Sequence, residues 1–434
     1  MPQGWRLRHG FQRIWPLGLA AFALAMGARP AIHLALAQAV LDDGTLTIVV
    51  VGDVGLNSSN LPVDPRGVFK RGFQPFADTT AAIAADLNGD LNFMNLETVV
   101  TDRNDLTPDL KGQNAPFNFR MHPAGLRHLV SVGFNIISLA NNHSMDYGVG
   151  GLQETLRHVG ALRGHGVLAA SGIGMNREEA SRPQLIPIKG STVAFSAMGI
   201  VTNNLERHRA GANQPGQIAY RFDDDFREVL RRLSEAKAAL RILSIHYGYE
   251  GKVRADALQL AQWRGEAARA GIDIVAGHHA HVVRGVELAG RSLIFYGLGN
   301  FLHHGTANMT GNDICRNYGL MGRVHLRKGA DGRFDIRAVE AIPVTDTHFK
   351  PRRLADQQSV AHVHALNYLA STLDDAAGKA RGLRFTPQPD GSGLYCVPGA
   401  DKDPGAIGAL CRRFTPAPPI PPELQSQIAA SCAA

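Results

Sequence analysis

The chain has 434 residues, 44 % of them hydrophobic and 19 % charged. That composition is globular, long enough for a self-sufficient core, and it excludes a disordered or collagen-like class. The formal net charge is +7, but the basic residues are spread through helical stretches and loops without a dense patch, which argues against nucleic acid as a partner.

In chain order, Arg6, Arg8 and Arg13 precede the apolar run "WPLGLAAFALAMGA" (15–28), and small residues follow in "AIHLALAQA". Residues 1–39 therefore read as a signal peptide or a retained N-terminal anchor; the run ends at Arg29-Pro30, short of the roughly 20 residues of a spanning helix, which favours the cleaved form. Export to the periplasm or cell envelope is the expected location. In that oxidising setting Cys315, Cys396, Cys411 and Cys432 can pair, with Cys396–Cys411 the preferred bridge, although spacing alone leaves the connectivity open.

"TLTIVVVGDVG" (45–55) reads as a buried strand delivering Asp53 to a loop. A helical "FADTTAAIAADL" leads to a second strand, "DLNFMNLE" (90–97), with Glu97 at its end. Helical "HPAGLRHLVSVG" leads to a third, "FNIISLANNH" (134–143), which runs into Asn141, Asn142 and His143. After the helix "GVGGLQETLRHVG", the segments "QLIPIKG" and "TVAFSAMG" suggest a hairpin.

Two more helix–strand units end in "RILSIHYG" (241–248) and "IDIVAGHHAH" (272–281), and a strand pair turns at Ala289-Gly290. Helix alternating with apolar strand predicts an α/β layered fold around a largely parallel or mixed sheet. A main domain over 45–345 is expected, with 346–434 as a peripheral extension: a helical segment containing His362 and His364 on its surface, then Pro/Gly-rich sequence. Arg227, Arg231 and Arg232 sit at helical spacing and read as a solvated helix face.

The candidate ligands Asp53, Glu97, Asn142, His246, His279 and His281 follow separate predicted strands, so their ends can converge in one crevice outside the carboxyl edge of the sheet. Mixed carboxylate, amide and imidazole donors suit Mn, Fe, Zn or Co better than Ca or Mg. Two such divalent ions bridged by Glu97 or Asp53 would hold a hydroxide nucleophile. His143 then remains for proton transfer to a leaving oxygen, with Asp146 as its orienting partner. Alternate residues of an extended turn share a face, so His279 and His281 pair as ligands and His278 lies behind them. His303 and His304 read as rim residues.

Gly52-Asp53, Asn95-Leu96-Glu97, "NNHSMDYG" (141–148), "HYGYEG" (246–251), "GHHAHV" (277–282) and "GLGNF" (297–301) together resemble the CapA family of capsule and poly-γ-glutamate biosynthesis proteins, in the calcineurin-like metallophosphoesterase superfamily. The resemblance covers roughly residues 46–305. It implies a four-layered α/β/β/α sandwich, a dinuclear metal centre held by the six ligands above, and His143 as the catalytic histidine. The chain departs from the superfamily pattern at Gly55, where Asp-x-His would place a histidine, at Glu97, where the bridging residue is usually Asp, and at Ala280, where the family has Pro.

The function this implies is metal-dependent hydrolysis of a phosphoester or polymer amide bond by metal-bound hydroxide, on an anionic polymer or phosphoester substrate, with membrane polymer-synthase components as possible partners. The rival is a non-catalytic polymer-binding or synthase-accessory protein that retains the fold.

Overall fold

The computed structural model describes residues 44–57, 75–114, 116–201, 205–306, 313–375, 379–413 and 419–433. The N-terminal leader expected over 1–39 lies outside these. Residues 44–434 form one compact unit. No described helix is long and apolar enough to cross a membrane.

The strands that matter for the site, in chain order, are β1 (Thr45–Gly55), β2 (Leu91–Leu96), β3 (Ile136–Ser138), β4 (Ala169–Ser171), β5 (Gln184–Ile188), β6 (Ser191–Gly199), β7 (Leu240–His246), β8 (Ile274–His278), β9 (Val286–Ala289), β10 (Ser292–Phe295), β11 (Asn300–His303), β12 (Gly319–Lys328), β13 (Phe334–Thr345) and β14 (Gly393–Cys396). The helices are α1 (Pro123–Ser131), α2 (Gly148–Gly160), α3 (Asp223–Glu235), α4 (Asp356–Ser371), α5 (Gly405–Arg412) and α6 (Pro422–Ala433).

One large sheet runs β14-β13-β12-β1-β2-β3-β4, with β11 beside the end of β1. Its β1–β4 half is parallel, whereas β12, β13 and β14 join antiparallel. The second sheet runs β9-β10-β8-β7-β6-β5, parallel from β10 to β6 with an antiparallel strand at each edge. The hairpins expected at 184–199 and around Ala289-Gly290 are these two edges.

The period-2 alternation of strand side chains separates the layers. Ile48, Val50 and Phe93 of the first sheet meet Phe195, Ile242 and Ile274 of the second in a shared core. Their neighbours Val49, Val51 and Met94 face outward onto Leu126, Leu129 and Leu152 of α1 and α2. On the far side, Leu243, Ile245 and Val275 pack against Phe226, Val229 and Leu233 of α3. Each strand therefore buries both faces, which is why it reads as a near-continuous apolar run. The result is the expected four-layered α/β/β/α sandwich.

The segment 346–434 corrects its sequence reading. It is part of the sandwich: β14 pairs with β13, and Val363 and Leu366 of α4 enter the inter-sheet core. His362 is buried, with Nε2 2.9 Å from Asn317 and its ring edge-on to Tyr318, so it is not on the helix surface. Gly/Pro density signalled turns correctly but hid the pairing, because a four-residue strand carries little pattern of its own. Disulfides join Cys396 to Cys411, the preferred bridge, and Cys315 to Cys432. The helix before β8 starts from a capping box between Asp256 and Gln259, then winds as a π-helix over Leu260–Ala267.

Arg227, Arg231 and Arg232 lie on α3 and pair with Asp223, Glu228, Glu235 and Glu178, as a solvated face would.

Candidate metal centre

The parallel strands of both sheets end at one mouth. Asp53 lies near the end of β1, where Gly52 lets the chain pass β11's approach: a β-carbon at Gly52 would lie 1.9 Å from the Gly299 carbonyl oxygen. The Asp53 amide donates to that same oxygen at 3.0 Å. Glu97 follows β2, Asn142 and His143 follow β3, His246 ends β7, His278 ends β8, and His279 and His281 follow it.

All of these side chains are buried except Asn142, which is partly exposed. Glu97 stands at the centre. Its Oε1 is 3.3 Å from His246 Nε2 and 4.0 Å from His143 Nε2, while its Oε2 is 3.2 Å from His303 Nε2. Neither oxygen accepts a hydrogen bond among the described residues, and neither ring nitrogen of His303 nor His279 Nδ1 has a hydrogen-bond partner there. A buried carboxylate left without donors is costly unless something cationic satisfies it.

Around Glu97 the polar side chains are aimed. Asn95 Nδ2 lies 2.8 Å from Asp53 Oδ1 and 3.1 Å from His246 Nδ1, and His246 Nε2 is 2.7 Å from Asn142 Oδ1. His281 Nδ1 donates to Asn300 Oδ1 at 2.8 Å, which leaves its Nε2 free to ligate. His278 Nδ1 is 3.3 Å from Asp53 Oδ1, and neither of its ring nitrogens has a hydrogen-bond partner among the described residues. His279 and His281 hold φ of +82° and +56°, rare for residues with a β-carbon and found where a site demands it.

At this mouth two groups of ligand atoms each fit within 4.8 Å: Glu97 with His279 and His281, and Glu97 with Asp53 and His246. Glu97 is common to both. The donor set is imidazole, carboxylate and amide at ion-coordinating separations, and its orphaned atoms are what a divalent transition ion would satisfy.

The electrostatics agree with that mixture. Burial pushes the Glu97 carboxyl up, but His246, His281 and His303 outweigh it and hold it well below the usual carboxylate range. Burial and the Glu97 charge likewise raise Asp53, and His278 with His246 bring it below its ordinary value. Burial, then His246 and His281, drive the His279 imidazole well below its usual value, so it is neutral and able to ligate. Burial also opposes the charged form of His281, yet Glu97 and Asp53 prevail and raise it.

His143 is set apart. Its Nδ1 is 2.6 Å from Asp146 Oδ2, its ring stacks on Phe119 at 4.2 Å, and the buried Lys111 ammonium pairs with the other Asp146 oxygen. Burial lowers the His143 imidazole against the attraction of Asp146, with Lys111 adding to the lowering. The cleft over the site, about 470 Å³, is lined by Lys111, His143, Arg221, Glu250, His279 and His281 among others. That volume is in the range of small-molecule sites.

Sequence reasoning missed four members of this neighbourhood. His303, read as a rim residue, is fully buried and faces Glu97. Asn95 and Asn300 lie within quoted motifs but were given no task. Lys111 sits in a loop with no pattern around it, and nothing local reveals its pairing with Asp146.

Comparison with known proteins gives this site its context. The chain is 25 % identical over 269 residues to the PGA biosynthesis protein CapA of Bacillus subtilis, covering 61 % of this chain and 66 % of that one. It is 29 % identical over 351 residues to a probable polyglutamine synthesis accessory protein of Mycobacterium tuberculosis, covering 79 % and 84 %. Among solved structures, the calcineurin-like phosphoesterase YfkN of Bacillus subtilis overlaps 67 % of this chain and 88 % of its own at a TM-score of 0.35 and 14 % identity. Residues 47–304, which contain Asp53, Glu97, Asn142, His143 and every histidine of the cluster, match the family model of the bacterial capsule synthesis protein PGA_cap, and the chain belongs to that family.

Proposed function

We propose that this chain is an exported, metal-dependent hydrolase acting in capsule or poly-γ-glutamate biosynthesis, on phosphoester or polymer amide bonds. The observation that carries the reading is Glu97: a fully buried carboxylate without hydrogen-bond donors among the described residues, common to two groups of potential ligands.

Asp53, Glu97, Asn142, His246, His279 and His281 would hold two divalent ions, Mn, Fe, Zn or Co. Such ions supply Lewis acidity and a nucleophile at neutral pH. The chain's own residues do the rest. Asp146 accepts from His143 Nδ1 and thereby fixes the tautomer that points Nε2 toward Glu97, where it can hold or deliver a proton to a leaving oxygen. Lys111 pairs with the other Asp146 oxygen and holds that carboxylate in place against the imidazole. Lys111 and Arg221 line a cleft suited to an anionic substrate. Two disulfides and the apolar N-terminal run support a place outside the cytoplasm, in the periplasm or cell envelope.

The test is turnover by the purified chain, loaded with Mn, Co or Zn, on phosphomonoesters, phosphodiesters and poly-γ-glutamate, read as released phosphate or amine. Ion-dependent turnover lost in His143→Gln is expected. A metal-loaded chain that binds polymer yet releases neither product would instead support the second reading, an accessory polymer-binding protein. Gly55, in place of a histidine that the wider superfamily carries, is the observation that favours that rival.

A further inference from the structure

We infer that His303 is a metal ligand of this centre, supplying from β11 the imidazole that Gly55 does not supply from β1. The inference rests on the metal-centre reading above and adds a residue which that reading does not use.

Strands β1 and β11 are parallel neighbours, and Gly55 is the register partner of His303, as Asp53 is of Asn300. Paired residues on adjacent strands project to the same face at the same level, so an imidazole borne by residue 303 arrives where one borne by residue 55 would. Gly55 has no room to spare: a β-carbon there would sit 3.0 Å from the Asn57 side chain and 3.2 Å from the Glu97 carbonyl. The position is closed on one strand and filled from the other.

The His303 ring is wholly buried and aimed inward. Nε2 is 3.2 Å from Glu97 Oε2, on the opposite carboxylate oxygen from the one facing His246. Its ring centroid is 5.8 Å from that of His281 and 5.3 Å from Phe119, which packs edge-on against it. A histidine kept only for packing would satisfy at least one nitrogen. Here neither nitrogen has a hydrogen-bond partner among the described residues, although the backbone amide of the same residue is bonded to the Thr347 carbonyl at 2.8 Å. The backbone is anchored and the ring is left for a ligand.

The experiment compares the wild-type chain with His303→Ala, stripped of metal and then titrated with Zn while X-ray absorption counts imidazoles per ion. His303→Phe keeps the ring volume beside Phe119 should the alanine variant fail to fold, and circular dichroism of the metal-free forms is the control. The expected result is loss of one imidazole from the coordination shell together with loss of one ion, its affinity weakened beyond the 10–100-fold typical of residues that only orient ligands. A variant that folds and keeps both ions with an unchanged imidazole count overturns the assignment and leaves His303 as a partner that merely positions Glu97. A wild-type chain that takes up no Zn overturns the metal centre itself, an outcome visible before any variant is made.

Discussion

Glu97 concentrates the chemistry of the site in one side chain. Both of its oxygens are buried and face the imidazoles of His246 and His303, and neither accepts a hydrogen bond among the described residues. A bound ion that recognises only the folded state stabilises it by about 2.7 kcal/mol at a hundred times its Kd. Thermal unfolding of the wild type should therefore rise on adding Mn, Co or Zn, and Glu97→Gln should abolish the rise while folding normally. His143→Gln should retain both ions and lower turnover by about 10²–10⁴, which separates proton transfer from metal binding. Asp146→Asn acts differently, because Lys111 is 3 % exposed and Asp146 is its ion-pair partner. Stranding a buried ammonium costs about 3–5 kcal/mol, so this variant should melt well below the wild type in a denaturant titration, beyond what loss of one hydrogen bond would produce.

At the scale of elements, the geometry depends on how closely β1 and β11 approach. Gly52→Ala would place a methyl group inside van der Waals contact of the Gly299 carbonyl, and because the obstacle is backbone, no rotamer relieves it. The expected outcome is insoluble or destabilised protein, measured by soluble yield and melting temperature, in contrast to a tolerated Gly160→Ala on α2, where nothing lies within 4 Å of the added carbon. The strand ends carrying Asp53, Glu97, His246 and His279 were legible because each is a largely apolar run that gives way to a carboxylate or imidazole at its carboxyl end. His303 was not, since "GLGNFLHH" has no alternation to reveal a four-residue strand, and its pairing with β1 spans some 250 positions that no local pattern encodes. Truncation after residue 345 tests the C-terminal elements. It removes β14 from its place beside β13 and α4 from the inter-sheet core, so the truncated chain should fail to give a cooperative unfolding transition.

In the whole molecule, neither sheet holds the site alone. Asp53, Glu97 and Asn142 come from the first sheet, and His246, His279 and His281 from the second, so the centre forms only when the two sheets pack through Ile48, Phe93, Phe195 and Ile274. The layer order was readable from alternating helices and strands. The antiparallel β12–β14 half was not, because those strands look alike locally whichever neighbour they pair with. Such a site predicts that metal affinity and global stability rise and fall together. The most direct measurement is metal content by elemental mass spectrometry, on the full chain purified without chelators and then reconstituted with Mn, Co or Zn. About two ions per chain, as a centre with a shared carboxylate requires, falling in Asp53→Ala and His279→Ala, is the expected result. A folded chain that holds no ion and takes none up would contradict the metal centre and leave polymer binding as the better account.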